Sequence, residues 1–151
     1  IVIMSSQPCP ARSGDVDPGL HAFLGRELGM SLGEVDNLLN KKSGMLGLSG
    51  VTDFRDLREL IDEGDEAAAL ALDVYCHRLL SYIGSYIAVL GGVDAITFTA
   101  GVGENDPVVR AKIVNRLGFI GAEYKESRRI LTRNLSGNAA FRTAREAGDD
   151  E

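Results

Sequence analysis

The sequence predicts an α/β fold, because one strand-like run lies between two helix-like runs and ends at a glycine turn. Apolar residues recur three or four apart between Asp65 and Leu90, which predicts a long helix with one apolar stripe. The run DAITFTA after Gly91 and Gly92 is β-branched and aromatic, as in a buried strand. The turn AGVGEN then leads into DPVVRAKIVNRLG, which again has helical spacing. This order is half of an α/β layout, and one clear strand is too few for a sheet of its own.

Length and composition indicate one globular domain of ordinary composition. The chain has 151 residues and a mass of 16.2 kDa, with 44% hydrophobic and 25% charged residues. A formal net charge of -6 and an aromatic content of 6% disfavour nucleic acid, whose binding requires neutralised phosphates and stacked bases. The opening IVIM is too short for a signal peptide or a membrane span, so we expect a cytoplasmic protein with no membrane partner.

The cysteines and histidines do not form a metal-binding pattern. Cys9 and Cys76 are the only cysteines and have no C-x-x-C spacing, while His21 and His77 are isolated. We therefore expect ordinary thiols and imidazoles in a reducing compartment rather than a zinc site.

Boundary signals predict two helices in the first part of the chain. SGDVDPGLHAFLGRELG places acidic residues and Pro18 before a helical run that ends at Gly29. SLGEVDNLLNKKSG begins with Ser31 as N-cap and Glu34 as its capping-box partner, and we expect Gly44 to be the C-cap. The apolar positions expected to face inward are Leu20, Phe23, Leu24, Leu28 and Leu38.

The string KSGMLGLSGVTDFRDL predicts a glycine-rich loop followed by a helix. Gly44, Gly47 and Gly50 recur every third residue and would interrupt either regular structure. Thr52 or Asp53 would cap the helix that follows. Within that helix, Arg55 could pair with Glu59 as an ordinary exposed arginine.

The apolar stripe of the long helix is compatible with two roles. It could be ordinary core, or its tyrosine-rich part could belong to a surface that binds a partner. The stripe consists of Leu72, Tyr75, Leu79, Tyr82, Ile83, Tyr86 and Leu90.

The glycine turn can be a ligand site or merely a tight turn. A strand that ends at Gly101 and Gly103 before a helix would direct backbone N–H groups toward a phosphate or the edge of a nucleotide. The P-loop string G-x-x-x-x-G-K-[ST] is absent, and the third glycine of G-x-G-x-x-G would fall at Asp106. Glu104 and Asn105 could be plain capping residues, and Asn105 or Asp106 could cap the next helix ahead of Pro107. That helix would turn Val109, Ile113, Val114 and Leu117 inward.

Three segments together resemble the acetate kinase family, whose relatives include propionate and butyrate kinases. They are ARSGDVDPG, NKKSGMLGLSGVTDFRDL and DAITFTAGVGENDPVVR, and the resemblance runs from about Arg12 to Gly121. It implies a phosphotransferase of the actin, sugar kinase and Hsp70 superfamily, with a ribonuclease H-like fold that is helix-rich and has a small mixed sheet. This chain resembles the second of the family's two domains, which binds the nucleotide.

The resemblance also implies roles for individual residues. Arg12 matches the arginine that stabilises the phosphoryl group during transfer, a role that suits a planar guanidinium. By itself, Arg12 could equally be a solvated loop arginine. The D-F-R segment approaches the adenosine, and G-x-G-E-N lines the adenine and ribose pocket. These roles transfer to Asp53, Phe54, Arg55, Gly101, Val102, Gly103, Glu104 and Asn105.

The resemblance is interrupted toward both ends. We expect a divergent segment at residues 1–11, the nucleotide-binding domain at 12–133 and a poorly ordered acidic tail at 134–151. The family's N-x-G-S-S-S-x-K segment, its first domain with a catalytic aspartate and histidine, and its P-T-N-E-E segment with a magnesium-ligating glutamate have no counterpart here. We therefore expect ATP or ADP with Mg²⁺ as family cofactors, but no metal ligand in this chain.

Two hypotheses of different classes follow. The first is an acetate kinase-like fragment (ATP + acetate giving ADP + acetyl phosphate, or propionate as the acyl substrate) that is catalytically incomplete alone, since both substrates must be placed in line. The second is a non-catalytic remnant that binds nucleotide or only dimerises, since this domain forms the homodimer contact in the family. A dinucleotide-binding oxidoreductase is disfavoured by the missing glycine.

Overall fold

The computed structural model describes residues 2–3, 11–122, 130–133 and 141–142. The chain divides into two compact units. One contains the described residues from Ala11 to Tyr75, and the other contains those from Cys76 onward together with residues 2–3. The boundary falls inside one continuous helix, so it coincides with neither of the predicted boundaries at residues 12 and 133, which stay predictions.

The first unit is helical. Its core consists of Leu24, Val35, Met45, Leu57, Ala68, Ala71, Leu72 and Tyr75. Its helices are α1 (Gly19–Leu28), α2 (Leu32–Lys41), α3 (Gly44–Ser49), α4 (Phe54–Asp62) and the first part of α5 (Glu66–Leu90).

The predicted end of α1 and the predicted start of α2 are confirmed. Gly29 ends α1 in the left-handed conformation, with φ of 65°. Ser31 caps α2, and its hydroxyl oxygen accepts from the Glu34 backbone N–H while the Glu34 carboxylate accepts from the Ser31 backbone N–H at 2.8 Å, which is a complete capping box. Of the apolar residues expected to face inward on α1, Leu24 is buried, whereas Phe23 and Leu28 are exposed.

The expected loop at residues 44–50 was wrong, because α3 occupies it. Gly44, with φ of 60°, is the first residue of α3 rather than the C-cap of α2, whose cap is Lys42. Gly47 lies inside α3, and Gly50 ends it in the left-handed conformation. The three glycines therefore fall at the start, middle and end of one short helix, where they do not interrupt it.

Asp53 is the N-cap of α4, and its carboxylate accepts from the Arg55 backbone N–H. The long helix α5 is confirmed within one residue of its expected start. Its stripe is buried at Leu79 and Ile83 as at earlier positions, but Tyr86 and Leu90 are 53% and 64% exposed. Among the helices of the described residues, none is long and apolar enough to cross a membrane.

The second unit contains a four-stranded mixed sheet in the order β1-β2-β3-β4. The expected strand is β2, and it pairs in parallel with β1 and antiparallel with β3, which in turn pairs antiparallel with β4. The strands are β1 (Val2–Ile3), β2 (Ala95–Phe98), β3 (Ile130–Arg133) and β4 (Phe141–Arg142). Part of the predicted tail thus forms β4, and the rest lies outside the described residues.

Helical structure follows β2 directly. The segment expected to be a glycine turn is the short helix α6 (Ala100–Asn105), and α7 (Pro107–Val114) and a 3₁₀ helix (Asn115–Ile120) come next. Ile96 and Phe98 of β2 are buried, and the predicted inward positions of α7 and the 3₁₀ helix are buried too, namely Val109, Ile113, Val114 and Leu117.

Candidate functional site

Arg12 lies in a segment without regular secondary structure, and backbone hydrogen bonds fix this segment on both sides of it. The carbonyl of Ala11 accepts from the Ser43 backbone N–H at 3.0 Å, and the Ser13 backbone N–H donates to the carbonyl of Leu39 at 2.8 Å. The Arg12 side chain is exposed, and no hydrogen bond or ion pair to it is found within the described part of the chain. The fold therefore holds the backbone of Arg12 while its guanidinium points to solvent.

Ser43 of the K-S-G string provides part of this support. Besides its backbone bond to Ala11, its hydroxyl donates to the carbonyl of Leu38 at 2.8 Å. Ser43 thus joins the end of α2, which its hydroxyl contacts, to the segment that carries Arg12, which its backbone N–H contacts. These two hydrogen bonds give the serine of the K-S-G string a structural role.

Arg55 forms its ion pair with Asp53. The possible pairing with Glu59 that the sequence suggested was wrong. Its Nη2 donates to Asp53 Oδ2 at 2.7 Å and its Nε donates to Asp53 Oδ1 at 3.1 Å. The Asp53 carboxylate also caps α4, and this backbone hydrogen bond holds it in position for the guanidinium. These side-chain and backbone hydrogen bonds from Arg55 lower the pKa of Asp53 from 3.8 to about 2.

The guanidinium of Arg55 remains accessible in this pair. Its side chain is 88% exposed although two of its nitrogens are engaged. Phe54, in contrast, packs edge-to-face on Tyr75 with ring centroids 4.9 Å apart, and Tyr75 is buried. Within the D-F-R segment, Arg55 is therefore the side chain most available to a ligand, while Phe54 contributes to packing.

Gly101 and Gly103 have different surroundings. A Cβ on Gly103 would lie 3.3 Å from the carbonyl carbon of Phe98, so α6 approaches the end of β2 at a distance that only glycine allows comfortably. A Cβ on Gly101 would meet nothing within 4 Å. The packing of the protein thus explains Gly103 and leaves Gly101 unexplained.

Two polar residues, Glu104 and Asn105, lie three and four positions after Gly101 in α6 and so share its helix face, but neither caps the next helix. Asp106 caps α7, and its Oδ1 accepts from the backbone N–H groups of Val108 and Val109 at 3.0 Å each. The alternative that Asn105 is this cap was therefore wrong. Asn105 is exposed and Glu104 is half-buried, next to the exposed Gly101. Val102 is half-buried in the same helix.

Sequence reasoning missed Arg110. It is a buried arginine, 5% exposed, in the first half of α7. Its Nη1 donates to the carbonyl oxygens of Gly103 at 3.0 Å and Glu104 at 2.8 Å. The signal in the sequence was an arginine three residues after Pro107. This spacing becomes informative only when α6, which precedes the proline, is known to be helical.

The described residues contain no group of three His, Cys, Asp or Glu side chains placed to hold a metal ion. We assign no magnesium ligand among them and derive no step through the metal. Arg12, Asp53, Phe54 and Arg55 belong to the first compact unit, and the residues of α6 belong to the second. Each half of the predicted site is therefore described within its own unit.

Solved structures similar to this chain include an acetate kinase and a propionate kinase. The chain is similar to the crystal structure of Porphyromonas gingivalis acetate kinase, with a TM-score of 0.73 and 43% identity over 78% of this chain and 30% of that one. A propionate kinase from Francisella tularensis gives the same TM-score of 0.73, with 37% identity over 78% of this chain and 30% of that one. The fold is thus that of the actin and Hsp70-like acetate and propionate kinases.

Sequence comparison identifies the family. The profile of the Acetokinase family matches residues 8–147. Acetate kinase from Campylobacter lari is 47% identical over 123 residues, which are 82% of this chain and 31% of that relative. The enzyme from Desulfotalea psychrophila is 54% identical over 110 residues, which are 73% of this chain and 27% of that relative. The chain belongs to the acetokinase family and spans less than a third of the length of these relatives, which confirms the resemblance seen in the motifs.

Proposed function

We propose that this chain supplies the adenine-nucleotide part of an acetokinase phosphotransferase, in which ATP and acetate give ADP and acetyl phosphate. The observation that carries the proposal is the open space at Gly101, beside the polar side chains of Glu104 and Asn105. A glycine that the packing does not require, in a segment matched by the family, supports close approach of a flat ligand to the backbone.

Each candidate residue has a role that fits its surroundings. The α6 segment would receive the adenosine, and Glu104 and Asn105 would contact its polar groups. Arg55 would contact the nucleotide with the exposed part of its guanidinium, while Asp53 fixes the orientation of that group. Arg12 would stabilise the phosphoryl group in transfer, because its backbone is fixed and its side chain is unengaged among the described residues.

The acyl substrate is proposed more broadly, as acetate or propionate. The similarity to both an acetate kinase and a propionate kinase supports this range. In the family reaction Mg²⁺ accompanies the nucleotide, and for this chain we propose a cytoplasmic location. Because the chain spans 31% of one relative's length, we expect the 151-residue chain to bind nucleotide without catalysing phosphoryl transfer.

Calorimetric titration of the purified chain with Mg-ADP tests nucleotide binding. We expect saturable heat for the wild type and an affinity about tenfold lower or worse for Gly101→Val, because the added side chain occupies the open space. Gly118→Val is the matched control, since Gly118 is also exposed and a Cβ there would also meet nothing within 4 Å. Equal affinities for the two variants would remove Gly101 from the site, and absence of heat with the wild type would refute binding.

A hydroxamate assay for acetyl phosphate tests whether the chain is catalytically incomplete. We expect no product above a control without enzyme when the chain is given ATP, Mg²⁺ and acetate. Product well above that control would show that the chain alone places both substrates in line, and would overturn the proposed division between binding and turnover.

The C-terminal end of α5 favours a homodimer. Tyr86, Val89 and Leu90 lie three and four residues apart on one helix face and are 53%, 82% and 64% exposed. Such an apolar face supports self-association of the kind expected from the family. Sedimentation velocity should show a dimer that Val89→Asp dissociates and that Ala88→Asp, an equal charge change away from the centre of this face, leaves intact. A monomeric wild type at high concentration would contradict the homodimer.

A further inference from the structure

The carbonyl groups at the end of α6 lose their regular helical partners because of the two residues that follow. In a continuing helix, the carbonyl of Gly103 would accept from residue 107 and that of Glu104 from residue 108. Residue 107 is proline and has no N–H. The N–H of Val108 donates to the side chain of Asp106 instead. The Asp-Pro pair that starts α7 therefore leaves two carbonyl oxygens of α6 to be satisfied by another group.

Arg110 is the group that satisfies them. Its Nη1 carries two hydrogens, and it reaches the Gly103 and Glu104 oxygens at 3.0 and 2.8 Å. The side chain is buried, so these hydrogen bonds from a cation form in surroundings that strengthen them. A positive charge at the C-terminal end of a helix also interacts favourably with the helix dipole.

We propose that Arg110 is a positioning residue for the nucleotide-binding segment, holding the last turn of α6 in place from α7. Its effect on nucleotide affinity rests on the proposed function of Gly101, Glu104 and Asn105. Arg110 acts through the backbone of α6 and not through contact with the nucleotide. Fixing the carbonyls of Gly103 and Glu104 fixes the direction of the side chains at 104 and 105 and the open face at 101.

Hydrogen exchange of the full 151-residue chain tests this role without any nucleotide. The informative probe is the Asp106 amide, which donates to the Val102 carbonyl at 2.9 Å and so reports the last turn of α6. We expect Arg110→Met to accelerate its exchange about tenfold, because charged hydrogen bonds that stabilise this turn are lost. The amides of Ile113 and Val114 in α7 should keep their wild-type rates. Arg110→Lys, which keeps a cation and a donor, should give an intermediate rate.

The same variants are then titrated with Mg-ADP well below their unfolding temperatures. We expect Arg110→Met to weaken binding about tenfold and Arg110→Lys to weaken it less. Arg116→Met is the matched control, because Arg116 is an exposed arginine of the neighbouring 3₁₀ helix and its loss changes the charge equally. It should change neither the exchange of α6 nor the affinity.

Three results would overturn the role of Arg110. One is unchanged Asp106 exchange in Arg110→Met, and another is exchange accelerated equally in α6 and α7, which would indicate a merely structural arginine. The third is selective loosening of α6 with unchanged Mg-ADP affinity in a wild type that binds. If Arg110→Met does not fold, Arg110→Lys is judged by the same selective exchange criterion. If the wild type fails to bind Mg-ADP, the proposed function falls, whereas selective loosening would still establish that Arg110 positions α6.

Discussion

Two glycine-bearing segments of the chain, residues 43–50 and residues 100–105, each contain a short helix of six residues but use their glycines differently. In the first, Gly44 and Gly50 have φ of 60° and 79°, so the backbone itself requires glycine. In the second, neither Gly101 nor Gly103 has a positive φ, and only Gly103 has a close neighbour that would contact a side chain. Backbone conformation accounts for Gly44 and Gly50 of the first segment, whereas neither conformation nor packing accounts for Gly101 of the second.

The two motifs therefore differ in what explains their residues: the fold explains those of the first, whereas it does not explain one glycine of the second. In the segment that begins with K-S-G, Ser43 supports the Arg12 segment through its backbone N–H, and Gly44 and Gly50 adopt backbone conformations that favour glycine. The G-x-G-E-N string is recognisable partly for another reason, since Gly101 has no packing role in the protein. A position whose residue type the fold does not explain is the better candidate for ligand contact.

The largest effect is expected for Gly50→Ala. Alanine in the left-handed conformation at the end of α3 should lower the free energy of unfolding by about 1–2 kcal/mol, because its Cβ approaches the following backbone. Urea denaturation followed by circular dichroism measures the change. Gly84→Ala is the control, since Gly84 lies inside α5 with nothing within 4 Å of a Cβ, and alanine there should stabilise the helix by about 0.5–1 kcal/mol. Equal responses at both positions would contradict the conformational argument.

The next effect compares the two glycines of α6. Gly103→Ala gains helix propensity but forces a Cβ against the buried end of β2, where Phe98 is 2% exposed and has little room to move. We expect a net loss of about 1 kcal/mol in the free energy of unfolding. Gly101→Ala has no such contact and should be neutral or slightly stabilising. Thermal unfolding of both variants decides, and a larger loss for Gly101→Ala would reverse the assignment of the two roles.

Signals within a few residues of each other predicted local structure correctly. The capping box of Ser31 and Glu34, the left-handed Gly29 and the cap at Asp53 depend on neighbouring backbone groups, which the sequence places without knowledge of the fold. The segments that carry the candidate site were likewise recognisable, because the acetokinase strings lie in continuous stretches of the chain.

Features set by longer-range contacts could not be predicted in the same way. The helix at residues 44–49 was missed because glycine spacing alone does not say whether each glycine falls at an end or inside a helix. The pairing of β1 with β2 joins residues more than ninety positions apart. Arg110 was missed because its partners are backbone carbonyls, whose need for a donor follows from Pro107 and from the side-chain bond of Asp106.

A smaller effect is expected where α4 begins, since the pair of Asp53 and Arg55 is exposed and screened by solvent. Carbon-detected NMR titration should give Asp53 a pKa of about 2 in the wild type, and Arg55→Met should return it toward 3.8. The depressed pKa implies a contribution to stability that is present above about pH 4 and is lost as the pH falls toward 2.

The control for this titration is Arg58→Met, which removes a nearby arginine of the same helix and should leave the Asp53 pKa low. In urea denaturation, the wild type should lose more stability than Arg55→Met between pH 4 and pH 3. Over this range Asp53 of the unfolded wild type takes up a proton, whereas Asp53 of the folded wild type stays ionised beside Arg55. A wild-type Asp53 that titrates near 3.8 would mean that the ion pair does not persist in solution.

The smallest effect is expected for Arg12→Ala. Its side chain is exposed and the backbone hydrogen bonds of its segment belong to Ala11 and Ser13, so truncation should change the free energy of unfolding by less than about 0.5 kcal/mol. Ser43→Ala is the informative contrast, since it removes the donor to Leu38 and should cost about 1 kcal/mol. Both are measured by urea denaturation. A loss for Arg12→Ala as large as that for Ser43→Ala would show that the Arg12 guanidinium stabilises the fold. The side chain would then not be free to contact a phosphoryl group.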